Sequence, residues 1–234
     1  IYPDFCALCG LMNKKITLIL VMAIAAGLGL ALSQRLFTPY ELPTVAKPAL
    51  ASASLINTPR ALPAFSLQSA NGALTAEQLK GSWTVIFIGF THCPDVCPTT
   101  LTDLARAQAI WAASKLPNKP KLLFVSVDPE RDNPKLLADY AAFFNKDTLT
   151  ATAPEAQLSE FTRSLGLVYM KVPQGDSYTM DHSSTLVLLN PNAEFAGLIR
   201  PPFNPETIAS DLLALSKSTH VYQHHFGQFR CQYA

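Results

Sequence analysis

Seventeen consecutive uncharged, mostly apolar residues, 16–32, follow Lys14-Lys15 and stop at Ser33-Gln34-Arg35. A membrane-crossing helix needs roughly 17–25 such residues, and the run exceeds the roughly 7–15-residue apolar core of a cleaved leader. It therefore predicts an uncleaved transmembrane anchor at 16–32, with a small-residue cleavage site at Ala31-Leu32-Ser33 as the rival reading. The lysines ahead of the run put residues 1–15 in the cytoplasm and everything after the span outside it. Residues 33–62 carry Pro39, Pro43, Pro48 and Pro59 among Ala, Ser and Thr, the composition of a partly extended linker.

From Pro63 onward, short apolar runs alternate with helical periodicity. Asn71-Gly72 after Phe65-Ser66-Leu67 predicts a small hairpin with a type I′ turn. Thr75 is placed to cap a short helix. Residues 83–90, rich in β-branched and aromatic side chains, predict a buried strand. Leu101, Leu104, Ala105, Gln108 and Trp111 then recur with helical spacing over 98–114. Residues 121–127 predict a second buried strand, and Asn133-Pro134 starts a helix through 144. Beyond it come a short strand at 149–151, a helix at 154–165, and strands at 167–172 and 178–180 around Gln174-Gly175-Asp176. A strand at 185–189 turns through 190–192 into its partner at 194–200, and a helix at 205–217 closes the pattern. Trp111, Phe143 and Phe144 fall at helical spacing that suggests core packing. The 218–234 segment has no period and reads as an irregular tail. Strands alternating with helices, then a hairpin and a helix, predict an α/β domain over 63–217. Its fold is thioredoxin-like, a central mixed sheet flanked by helices.

Composition narrows the function classes. A net charge of +1 and a charged fraction of 15% give no electrostatic handle for nucleic acid. Scattered cations such as Arg106, Lys119 and Lys121 read as a solvated surface. Five cysteines in 234 residues, an odd and sparse set, argue against a disulfide-stapled scaffold. Met12-Asn13-Lys14-Lys15 reads as a natural beginning, and Cys6-Ala7-Leu8-Cys9 ahead of it as an incidental pair.

The chemistry lies in Phe90-Thr91-His92-Cys93-Pro94-Asp95-Val96-Cys97-Pro98. Here a central strand hands over to a helix. Cysteines at i and i+4 share a helix face, so both sulfurs can point the same way, and a helix N-terminus favours thiolate. Two thiolates are soft donors suited to Cu(I), zinc or iron–sulfur clusters. Of five histidines, His92 adjoins Cys93, three lie in the tail, and His182 sits just before the 185–189 strand. His182 is the third donor this order favours. Structural zinc wants four protein ligands, and the domain offers three. The pair also supports thiol–disulfide exchange, and the residues leave copper binding and thiol exchange equally open.

The 90–98 stretch, Val125-Ser126-Val127-Asp128-Pro129-Glu130-Arg131-Asp132 and Asp181-His182-Ser183-Ser184 together resemble the Sco/SenC family. The resemblance runs over 63–217 and agrees with a single-pass anchor. It implies a membrane-anchored copper protein, not a catalyst, that holds copper, Cu(I) or Cu(II), through Cys93, Cys97 and His182. It also implies delivery to the dinuclear copper centre of cytochrome c oxidase, with the copper-bearing subunit as acceptor. A copper-donating chaperone and a thiol reductant are the further partners it suggests. The domain is then expected on the extracytoplasmic side of the inner membrane. Asp128 matches an acidic position near the site and takes only a supporting role, toward His182 or toward thiol acidity, with a loop carboxylate that balances Arg131 as the equal alternative. The histidine-containing tail departs from the family pattern. The alternative is a thiol–disulfide oxidoreductase that keeps acceptor cysteines reduced; a peroxide-reducing enzyme fits less well, since no distant resolving cysteine lies in the domain.

Overall fold

The computed structural model describes residues 5–36 and 49–230, and the chain divides into two compact units, 1–47 and 48–234. In the first unit, α1 (Phe5–Leu36) contains an 18-residue window, Ile16–Ser33, of mean hydropathy 2.4. At about 1.5 Å per residue that window is about 27 Å long, close to the roughly 30 Å of a bilayer core, and the helix continues beyond it at both ends. The helix overruns the expected 16–32 at both ends, because no proline interrupts Phe5–Leu36.

The second unit opens with β1 (Ala53–Arg60), the hairpin β2 (Leu67–Ser69) and β3 (Gly72–Leu74), and one turn of helix, α2 (Ala76–Leu79). Next come β4 (Thr84–Gly89), α3 (Val96–Ala112), β5 (Lys121–Ser126), α4 (Pro134–Phe144), β6 (Leu149–Ala151) and α5 (Glu155–Ser164). The chain ends through β7 (Tyr169–Gln174), β8 (Ser177–His182), β9 (Leu186–Leu189), β10 (Phe195–Ile199) and α6 (Pro205–Arg230). Six strands form a mixed sheet in the order β1-β10-β9-β4-β5-β6, flanked by helices in the thioredoxin-like manner the pattern predicts.

β4 is flanked by parallel β5 and antiparallel β9, so all six of its residues are buried and its sequence is continuously apolar rather than alternating. Phe87 and Phe124 stack across β4 and β5 with centroids 5.7 Å apart. The helix signals also hold. Asn133 Oδ1 accepts from Leu136 N–H at 2.9 Å with Pro134 opening α4. Gln78 Oε1 accepts from Thr75 N–H at 2.8 Å ahead of α2. The β2–β3 turn sits at Ala70-Asn71, with Gly72 opposite Ser69 at φ 101°. That left-handed value is why glycine stands there.

Several expectations need correcting. Residues 33–62 are not all linker: Ala53–Arg60 pairs antiparallel with β10, and residues 37–48 lie outside the described set. β1 is an edge strand with few buried side chains, so no apolar alternation marks it, and Pro59 is tolerated there. The expected irregular tail is helical as far as Arg230, since α6 meets no proline after Pro205; Cys231 lies outside the described residues. Trp111 is buried, but Phe143 is 86% exposed, because Leu137 and Ala141 set the inward face of α4 and Phe143 falls outside it. The 178–180 strand runs on to His182, and β7–β8 forms a two-stranded sheet of its own.

Asp211, buried on α6, fixes the start of β1. Its carboxylate accepts from the backbone N–H groups of Ala51 (2.9 Å), Ser52 (2.7 Å) and Ala53 (2.8 Å) and from the Ser52 hydroxyl (2.8 Å). Burial alone would raise its pKa; these donors outweigh burial and hold it below the ordinary carboxylate value. A depressed folded-state pKa stabilises the fold above the unfolded value of about 3.9 and loses that contribution as pH falls through the depressed value. Asp211→Asn should therefore lower stability by about 2–3 kcal/mol at neutral pH, a difference that shrinks below about pH 4. Denaturant titration of both proteins at pH 7 and pH 3 measures it.

Candidate metal centre

Parallel pairing sets Gly89 opposite Ser126, so β4 and β5 end together and the turns after them lie side by side. Val127 N–H donates to Gly89 O at 2.9 Å. Asp132, 1% exposed, accepts from Thr91 N–H (2.9 Å), the Thr91 hydroxyl and the Ser126 hydroxyl (2.6 Å). This buried carboxylate holds the cysteine turn against β5.

Cys93 lies in that turn rather than on α3, which starts at Val96. Its sulfur accepts the Cys97 N–H at 3.4 Å, satisfying one of the open donors of the helix's first turn. The sulfurs thus converge by helix capping rather than by sharing a helix face. Cys97 is wholly buried, and its sulfur occupies space left by Gly89. A Cβ on Gly89 would lie 2.8 Å from Cys97 Sγ and 3.0 Å from Phe124 Cε2.

His182 closes the site from the end of β8. Its ring meets Phe87 and Phe90 edge-on, at centroid distances of 6.2 and 6.1 Å. Nδ1 lies 3.1 Å from the Ser183 carbonyl, which can only accept, so Nδ1 carries the proton. Nε2 is then unprotonated, and its lone pair faces Cys97 Sγ at 3.6 Å. Cys93, Cys97 and His182 each offer one ligand atom, and the three atoms lie within 4.8 Å of one another. Ligands about 2.0–2.3 Å from one ion stand about 3.5–4 Å apart in a trigonal site, which suits this separation.

Burial dominates the electrostatics. It pushes the Cys97 thiol far up; the Phe90 backbone opposes this, while Cys93 and Asp132 add smaller upward pushes. Burial also lowers the His182 pKa, against smaller opposing effects of the Ser183 carbonyl and Asp181. Without metal, the site therefore holds a neutral Cys97 thiol beside a neutral imidazole.

Among the described residues the three sequence-selected donors come together, and His92 does not join them. His92 is 51% exposed, with Nδ1 3.7 Å from Asp132 Oδ1. Asp128 is buried but does not touch His182; it binds Arg131 Nε and accepts from Tyr178 OH at 2.9 Å. The counter-charge reading of Asp128 is the one observed. Asp132 and Gly89 were given no role by the sequence, although Asp132 stood in the quoted 125–132 segment.

The SCO1/SenC family model matches residues 54–217. The mitochondrial SCO1 homolog 1 of Arabidopsis thaliana is 37% identical over 134 residues, 56% of this chain; the chain spans 40% of that relative's length. Copper-bound Arabidopsis thaliana ScoI superposes with a TM-score of 0.62 at 30% identity, covering 67% of this chain and 98% of that one. Copper-bound ScoI of Bradyrhizobium japonicum gives 0.60 at 34%, covering 66% and 98%. With a family match across the whole sheet and copper-bound structures that share its fold, the chain belongs to the SCO1/SenC family.

Proposed function

We propose that this chain is a copper carrier that binds one copper ion through Cys93, Cys97 and His182 and passes it to the copper-bearing subunit of cytochrome c oxidase. The family serves copper assembly of that oxidase. The observation that carries the reading is the cluster of two sulfurs and one imidazole within 4.8 Å. Two thiolates with one imidazole suit copper or zinc, and three protein donors fall short of the four a structural zinc takes. Three donors leave copper open to a fourth, so an acceptor thiolate joins before a resident one leaves. The wholly buried Cys97 keeps its hold longest, and the partly exposed Cys93 is the group an acceptor reaches. Asp128 supports the site at one remove, through Arg131 and Tyr178.

The anchor reading places the apolar window of α1 across the inner membrane, with Lys14-Lys15 on the cytoplasmic side and residues 63–217 outside. A donating copper chaperone and a thiol reductant complete the set of partners, because copper binding requires the reduced pair.

A second reading rests on the same cysteines. Cys93 is partly exposed and Cys97 sits buried behind it, the arrangement of an attacking and a resolving thiol. Oxidising the pair to a disulfide releases two electrons and two protons, which would reduce an acceptor disulfide to two thiols. This reading needs no histidine.

Titration of the full chain in detergent with Cu(I) and Cu(II) separates the two. The carrier reading expects one tight copper, weakened at least about 100-fold in Cys93→Ala and Cys97→Ala and about 10- to 100-fold in His182→Ala. Wild-type copper affinity in His182→Ala, with mixed disulfides accumulating on Cys97→Ser, establishes the oxidoreductase instead. The raised Cys97 pKa gives a second expectation: at pH 7 copper must displace the Cys97 proton, so affinity rises with pH. Calorimetry in buffers of different ionisation enthalpy counts that release, at least one proton per copper. Gly89→Ala places a methyl against Cys97 Sγ and should cost about 1–3 kcal/mol of stability. It should also shift the sulfur-to-copper absorption band, since the methyl displaces a ligand.

A further inference from the structure

His182 differs from the cysteines in how it is held. Both cysteines belong to the turn and helix that continue β4, in the middle of the six-stranded sheet. His182 ends a hairpin whose backbone ladder is its own. Side chains therefore do most of the work of fixing this hairpin to the turn after β5. One tie to that turn, Lys171 to Glu130 at 2.6 Å, and one to α5, Tyr169 OH to Glu155 at 2.8 Å, are exposed and weakened by water and salt. The inner ties are the Tyr178 hydroxyl, which donates to Asp128 at 2.9 Å, and Arg131. Its Nε donates to Asp128, its Nη1 donates to the Tyr178 carbonyl at 3.1 Å, and its guanidinium lies over the rings of Tyr178 (3.8 Å) and Phe90 (5.7 Å). Tyr178, Met180 and His182 alternate along β8 and so share one face. The Phe90 ring that Arg131 covers is also the ring on which His182 rests edge-on.

We propose that Arg131 is a positioning residue for the third copper donor: by gripping β8 at Tyr178 and covering Phe90, it holds His182 Nε2 within reach of Cys97 Sγ. The proposal rests on the copper-carrier reading and adds a residue that touches no metal. Lysine cannot replace the flat, forked guanidinium in this role, since it has neither the paired donors nor the stacking face.

The test compares wild type, Arg131→Gln, Tyr178→Phe and His182→Ala as full chains in detergent. Two readouts bear on ligand placement. One is the nitrogen hyperfine coupling in the Cu(II) electron paramagnetic resonance spectrum, with the rate of copper loss to a chelator. The other, in the copper-free protein, is the His182 ring-proton shift, displaced by the Phe87 and Phe90 rings. Arg131→Gln is expected to keep the sulfur-to-copper absorption, lose most of the nitrogen coupling and release copper about tenfold faster, close to His182→Ala. Its copper-free His182 resonances should move toward free-histidine values. Tyr178→Phe keeps the ring and the carbonyl and loses only the phenol's hydrogen bond to Asp128, so it should retain the nitrogen coupling that Arg131→Gln loses.

Wild-type nitrogen coupling, release rate and ring shifts in Arg131→Gln would overturn the proposal and leave the copper reading standing. A Tyr178→Phe variant as impaired as Arg131→Gln would overturn it too, by moving the role to the phenol hydroxyl. A wild-type protein that binds no copper defeats the carrier reading, while the copper-free ring shifts still decide the placement. Should Arg131→Gln not fold, Arg131→Lys, which keeps the stem and the charge, carries the same comparison.

Discussion

The buried carboxylate of Asp132 joins the two turns that end the central strands, and the geometry of the centre follows from that joint. A carboxylate removed from water is costly unless its oxygens are fully hydrogen-bonded. Here the donors are Thr91 N–H, the Thr91 hydroxyl and the Ser126 hydroxyl. Thr91 belongs to the cysteine turn and Ser126 to the end of β5, so the carboxylate is satisfied only when that turn lies against β5. Two residues beyond Thr91 comes Cys93, whose sulfur then meets the Cys97 N–H at the head of α3. The parallel pairing of β4 with β5 thus reaches the sulfurs through a short series of hydrogen bonds.

Steric room completes what those bonds begin. Cys97 Sγ stands where a side chain on Gly89 would be, so the absence of a Cβ at the end of β4 is part of the site. The end of β4 at Gly89 lies against this sulfur on one side, and His182 Nε2 stands 3.6 Å from it on another. The two cysteines are therefore placed before any ligand arrives. The histidine reaches them from a separate hairpin, held by a guanidinium and aromatic faces rather than by a shared strand ladder. The centre pairs a preset dithiol with a donor whose position depends on side-chain contacts.

Much of this was legible in the chain. The continuous apolar run of β4 marked a strand buried on both sides, Asn133-Pro134 marked a helix start, and the spacing from Leu101 to Trp111 marked the inward face of α3. Cys93, Cys97 and His182 were legible as donors by chemical type, and the 125–132 segment as their companion. What was not legible depended on partners distant in sequence. β1 is an edge strand held by its backbone and by Asp211, some 160 residues away, so it carries no apolar signature of its own. Phe143 and Phe144 share a composition, and only the docking of α4 separates the exposed ring from the packed one. Gly89 looked like an ordinary strand end until the sulfur was seen against it. Asp128 and Asp132 lie four apart in one acidic segment, and nothing local says that the second holds the cysteine turn while the first pairs with Arg131.

Burial of Cys97 has a consequence for the direction of copper transfer in the carrier reading. A thiol whose neutral form is favoured by desolvation opposes metal binding, because the ion must displace its proton. The same preference favours release, since the departing copper leaves a sulfur that readily takes a proton back. His182, kept neutral by burial with Nε2 unprotonated, adds no proton cost of its own at neutral pH. Hold and release are therefore set against each other within one residue: the thiolate binds copper strongly, and its apolar surroundings favour the protonated thiol that competes with copper. An acceptor thiolate that takes the ion leaves Cys97 to recover its proton, so transfer in this reading need not dismantle the fold that held the copper.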